Sequence, residues 1–171
     1  MKKFVILLFL MPLLGYSQSF KITANAPQQI KANSSVIVSI TLNKSDFTGF
    51  GIFQVHYPTA LTYTNLLTKG IAKKIIDTNS RMIKLYWASM PTDEKVNVIL
   101  YFKTKKLKNN FSVKYWFDYQ ANNMRGFIKG IAVKYEVKNN IATKVAISPA
   151  TQQTQATADS SITEIQNFFE D

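Results

Sequence analysis

Residues 36–58 read VIVSITLNKSDFTGFGIFQVHYP, and the fold class follows from them. Val36, Val38, Ile40 and Leu42 alternate with Ser39 and Thr41, the period-2 pattern of a strand with one buried face. Asn43 to Asp46 supplies residue types that bond their own backbone and turn the chain. Gly49 and Gly51 then bracket Phe50, which allows a bulge or a close backbone approach where a second strand begins. Pro58 has no N–H to offer a ladder and ends that strand.

The same alternation recurs along the chain. Residues 20–24 (FKITA) predict a first, edge strand, with a turn at 26–29. Residues 59–65 are rich in β-branched and aromatic types and read as extended. Residues 66–76 are ambiguous between a short helix and an irregular connector. Ile83, Leu85 and Trp87 share one face, as do Val96, Val98, Leu100 and Phe102. Phe111, Val113, Tyr115, Phe117 and Tyr119 oppose Ser112, Lys114, Trp116 and Asp118. Residues 127–137 read as one strand with Ile131, Val133, Tyr135 and Val137 together. Asn139-Asn140 makes a short hairpin turn, since asparagine tolerates positive φ, and 141–147 returns as a strand. Eight or nine strands at roughly 8–12-residue spacing predict an all-β fold, an antiparallel β-sandwich of jelly-roll or immunoglobulin-like type.

The 171 residues divide into four expected segments. Residues 1–17 read as a signal peptide: Lys2 and Lys3 form a basic start, an apolar run follows to Leu14, and Gly15 and Ser17 are small residues placed for cleavage before Gln18. That run is far shorter than the roughly 20 residues needed to span a bilayer. Residues 18–148 form the sandwich. Residues 149–159 are polar and small and read as a linker. Residues 160–171 predict a short amphipathic helix, opened by a capping box at Ser161-Ile162-Thr163-Glu164. Ile162, Ile165, Phe168 and Phe169 make its apolar stripe, either a cover over one end of the sandwich or, the reading favoured by the linker, a docking peptide for a partner's groove. The chain has no cysteine, which excludes disulfides, thiolate metal sites and a lipid-bearing cysteine.

The net charge of +11 is unevenly placed: residues 18–150 hold nineteen Lys or Arg against six acids, and residues 151–171 hold four acids and no base. The densest basic run, Lys103-Thr104-Lys105-Lys106-Leu107-Lys108, reads as a solvated turn, or as a contact for phosphate, anionic lipid, an acidic partner or the acidic tail. Nucleic acid is not expected, because no stacking platform accompanies the run.

Little in the sequence points to catalysis. His56 is the only histidine, and at a strand end it reads as structural before it reads as a base or ligand. Asp118 reads as a turn residue. No nucleophile motif, calcium-loop spacing or histidine pair is present, so no catalytic residue, metal or cofactor is assigned. Tyr101 and Trp116, and with them Tyr86, fall on the polar phase of strands whose other phase supplies a core. They are candidates for a glycan or protein surface, or for a second buried face.

The alternating strand, the Phe47-Thr48-Gly49-Phe50-Gly51 approach and the His56-Tyr57-Pro58 strand end resemble the opening of cohesin-like domains and related carbohydrate-binding modules. Residues 96–103, ending in Phe102-Lys103, are similar to a later strand of that family. The family's strand ends in Tyr-Asp-Pro, and here the aspartate is missing. The resemblance implies a β-sandwich that works by binding. The functional expectation is an exported, non-enzymatic binding or adaptor module, periplasmic or extracellular, not membrane-spanning and not a lipoprotein. It would dock on another cell-envelope protein, more narrowly as an accessory subunit of an outer-membrane secretion machine of type 9. The alternative is glycan binding through Trp116 and Tyr101.

Overall fold

The computed structural model describes residues 20–121, 124–129, 131–148 and 151–156. In chain order the strands are β1 (Lys21–Asn25), β2 (Gln29–Lys31), β3 (Ser35–Asn43), β4 (Phe50–His56), β5 (Leu61–Leu67), β6 (Lys73–Asp77), β7 (Met82–Trp87), β8 (Lys95–Thr104), β9 (Phe111–Ala121), β10 (Met124–Lys129), β11 (Ala132–Lys138), β12 (Ile141–Ile147) and β13 (Thr151–Ala156). All pairings are antiparallel. The smaller sheet, sheet A, has the order β1-β3-β8-β5; the larger, sheet B, runs β2-β12-β11-β9-β4-β7-β6, with β10 and β13 branching from β9.

The inner faces of both sheets share one core. Sheet A contributes Val36, Val38, Ile40 and Leu42 from β3 and Val96, Val98, Leu100 and Phe102 from β8. Sheet B answers with Phe53, Val55, Ile83, Leu85, Trp87, Tyr115 and Phe117. These are the alternating sets of the sequence, because a strand turns its apolar phase away from water wherever a second sheet can cover it. Trp87 is fully buried, and its indole N–H donates to the Lys69 carbonyl at 2.9 Å.

Aromatic rings close one end. Phe20, Phe47, Phe117 and Tyr119 form a cluster, with Phe20 and Tyr119 centroids 3.9 Å apart and Phe20 and Phe47 edge to face at 5.0 Å. Two glycines make room for it. A Cβ on Gly49 would lie 2.6 Å from the Gln120 carbonyl and 2.8 Å from the Phe47 ring, so the expected close backbone approach is realised. A Cβ on Gly126 would overlap the Tyr119 ring, which lies across it from the neighbouring strand. The connecting loops are tied together at this end: the Lys44 N–H donates to the Glu94 carbonyl at 2.9 Å, and Met90 N–H to Gly49 at 3.1 Å. The buried Lys44 ammonium donates to the Phe47 carbonyl.

Four features depart from the expectations. The described residues hold thirteen strands, not eight or nine, since short edge strands form wherever a neighbour offers free backbone groups. Thus Gln29–Lys31, at a turn in the sequence, pairs with β12, and the ambiguous 66–76 region yields β6 against β7. The single strand over 127–137 is two, β10 and β11, both paired to β9 but along different stretches of it. The segment expected as a linker over 149–159 contains β13, which pairs residue for residue with β10. Its Thr-Gln pattern has no apolar face, yet backbone hydrogen bonds alone can add an edge strand. The expected helix over 160–171 lies outside the described residues. Asn139 and Asn140 do take positive φ, 54° and 61°, at the β11–β12 hairpin.

Burial raises the ionisation of Tyr57, Tyr63, Tyr86, Tyr115 and Tyr135 above the ordinary value of 10.0, with Tyr135 pushed up to about 12. Groups that resist losing a proton in the fold contribute stability in full below the unfolded value near 10. They lose it as pH rises from there through the raised values. Lys44 opposes this weakly: burial lowers its pKa from 10.5, against Asp93 and Asp46, so its contribution grows as pH climbs toward 10.5. Five tyrosines outweigh one lysine. Urea midpoints should therefore fall steeply above roughly pH 10. The Tyr115 hydroxyl is buried with no hydrogen-bond partner, so Tyr115→Phe should flatten that fall and change stability at neutral pH by no more than about +1 kcal/mol.

Candidate binding surfaces

The outer face of sheet A is built by residues that interrupt the alternation. Val36-Ile37-Val38 and Val98-Ile99-Leu100-Tyr101 are unbroken apolar runs; the inward phase is buried and the remainder must face out. Ile37 lies opposite Tyr101, Tyr101 opposite Asn65, and Ile99 opposite Leu67. A bulge between Tyr63 and Asn65 sets Leu67 on this face. Ile37 is 52% exposed and Leu67 51%, while Ile99 and Tyr101 are half-buried between them. Further along, the face turns polar, where the Thr41 hydroxyl donates to Asn97 Oδ1 at 2.9 Å. The unbroken runs were the sequence signal for Ile37 and Ile99, and alternation alone passed over them.

Trp116 sits on the other sheet. It is half-buried on the outer face of sheet B, opposite Gln54 of β4. Tyr101 and Trp116 therefore belong to opposite sides of the molecule and form no common surface. Tyr86, also on the outer phase, is buried. Beside Trp116, Asp118 is 7% exposed and occupies the middle of β9, not a turn. Gln54 Nε2 donates to its Oδ2 at 3.1 Å and Arg125 Nη2 to its Oδ1 at 3.2 Å. Both carboxylate oxygens are engaged, which satisfies a charge that would otherwise be buried at high cost. No group of three His, Cys, Asp or Glu suited to a metal occurs among the described residues.

The third surface is at the end opposite the aromatic cluster. The basic run is less free than a solvated turn. Leu107 is 2% exposed, inserted into the core between lysines that consequently point outward. The turn is pinned on both sides: Lys105 N–H donates to the Ala60 carbonyl at 2.9 Å, and Thr104 N–H to Ser34 at 2.8 Å. Thr104 Oγ1 accepts from Ser34 N–H at 2.7 Å and donates to the Lys31 carbonyl at 2.8 Å. Asn110 Oδ1 accepts from Val137 N–H at 2.9 Å. Facing this turn are His56 and Lys114, opposite each other on β4 and β9. Together they line a cleft of about 520 Å³ with Pro58, Thr59, Ser112 and Phe111.

The docking residues Ile162, Ile165, Phe168 and Phe169 lie outside the described residues. No helix among the described residues is long and apolar enough to cross a membrane.

The chain is similar to cohesin and adhesin β-sandwich domains. A non-cellulosomal cohesin from the hyperthermophilic archaeon Archaeoglobus fulgidus aligns over 84% of this chain and 97% of its own, at 15% identity and a TM-score of 0.40. The collagen-binding domain of a Staphylococcus aureus adhesin aligns over 79% and 95%, at 10% identity and 0.42. No protein-family model matches the sequence, and no curated protein matches it. At such identities the functional conclusion rests on this chain's own surfaces.

Because Leu107 anchors the basic turn, Leu107→Ala should destabilise the fold by about 2–5 kcal/mol. Hydrogen exchange should rise first at the Thr104 and Lys105 amides, which the anchored turn holds in place.

Proposed function

We propose that the protein is a non-enzymatic docking module that binds another protein of the cell envelope through the outer face of sheet A. The observation that carries this is the apolar band of Ile37, Tyr101, Ile99 and Leu67, on a sheet whose opposite face already supplies the core. Large side chains left half in water on a flat, hydrogen-bonded surface gain free energy when a partner covers them. An aromatic ring at the centre, flanked by branched aliphatics, has the make-up of an interface anchor. The signal sequence expected over 1–17 supports an exported location. A role as accessory subunit of a type 9 outer-membrane secretion machine is the specific form we propose, with the 160–171 segment as a second, tethered contact.

A photo-crosslinking side chain placed in turn at Ile37, Leu67 and, as a control on sheet B, Lys74 tests the proposal in intact cells. Ile37 and Leu67 should give one shared, discrete adduct with an envelope protein, and Lys74 none. No adduct at the two sheet A positions, or the same adducts from all three, would overturn it. Ending the chain after Ala156 keeps β13 in place; the adduct yield should then fall, and an unchanged yield would remove the tail from the docking.

A further inference from the structure

Four lysines and the chain's one histidine converge on the cleft at the end of the sandwich, from separate segments of the chain. Lys105, Lys106 and Lys108 come from the β8–β9 turn, Lys114 from β9 and His56 from β4, and no Asp or Glu lines the cleft. The Arg125–Asp118 ion pair lies well away from this end. The cationic groups thus share a lining that holds no carboxylate, on a backbone that Leu107, Ala60 and Val137 hold in place. Like charges gathered this way repel and lower the stability of the free protein. An anion seated among them reverses that.

We propose that this cleft binds an acidic polysaccharide, a chain whose sugars carry carboxylate or sulfate groups. The lining supports this class. Thr59, Ser112, Asn109 and Asn110 interleave with the lysines, offering neutral hydrogen bonds for sugar hydroxyls between cations for the acid groups. Phe111 is a single half-buried ring, stacked on Tyr135 at 5.1 Å. It gives one sugar face something to rest on but no run of rings for unstacked bases. Open and recessed, the cleft suits a strand lying along it better than a flat bilayer. The site is separate from the outer face of sheet A, so either proposal can fail alone.

The test is affinity electrophoresis and thermal unfolding of the purified protein with heparin, polygalacturonate, poly-glutamate and phosphatidylglycerol vesicles. Heparin or polygalacturonate should bind, less tightly as salt rises, and should raise the unfolding temperature. The triple variant K106A/K108A/K114A should bind about tenfold more weakly while remaining at least as heat-stable without ligand. Lys114→Gln, which leaves the turn untouched, should give about a threefold loss. The control K21A/K74A/K95A removes the same charge from exposed positions elsewhere and should bind within about twofold of the parent. Equal losses in the two triple variants would reduce the effect to net charge and overturn the site. Tighter binding of poly-glutamate or vesicles than of either polysaccharide, or no binding at all, would overturn it as well.

Discussion

The larger sheet depends on the two edges of one strand. β9 gives one edge to β4, from Lys114 to Gln120, and divides the other between β11 at its start and β10 at its end. An eleven-residue strand is long enough to serve two shorter neighbours in succession. The handover falls at Tyr115, whose N–H still donates to Ile131 at 3.0 Å. Every other strand of that sheet is reached through one of these three partners. The alternation FSVKYWFDY then fixes what each side of the sheet presents, since a slip of one residue would exchange Tyr115 and Phe117 for Trp116 and Asp118.

This arrangement explains why binding surfaces sit where they do. Sheet A is small, and its outer face is not crossed by any described strand, so the apolar residues there remain in water. On sheet B the corresponding face is broken up by Asp118, Gln54 and Arg125, a polar group that satisfies itself. The cleft end gathers the chain reversals after β4 and β8. The opposite end is filled by aromatic rings and by loops bonded to one another. Surfaces, core and end plug are thus separate consequences of the same two-sheet packing.

Much of this was legible in the sequence. Every inward residue named for β3, β7, β8 and β9 lies in or against the core, because period-2 alternation reports burial on one face directly. The hairpin at Asn139-Asn140 was legible for a similar local reason. Of the strands that escaped notice, β2 and β13 are held chiefly by backbone groups of neighbours distant in sequence, of which a side-chain pattern carries no record, whereas β6 pairs with the adjacent β7 and its Lys-Lys-Ile-Ile-Asp run simply lacks alternation. The division of 127–137 into two strands depends on which part of β9 each one meets. For the surfaces, Tyr101 was visible as an off-phase aromatic, but its separation from Trp116 needed the sheets to be placed. The convergence of His56 and Lys114 on the basic turn links three parts of the chain that only the fold brings together.

The distribution of charge along the strands has a consequence beyond either surface. Asp46, Asp93 and Glu94 sit in the loops of the plugged end, beside Lys44 and Lys95, and nearly cancel. Lys105, Lys106, Lys108 and Lys114 line the cleft at the other end, with no carboxylate in that lining. Among the described residues, charge is thus skewed along the direction of the strands. In the field of a negatively charged surface the sandwich experiences a torque before it makes contact, and it arrives with its lysine end leading and the flank of sheet A held sideways.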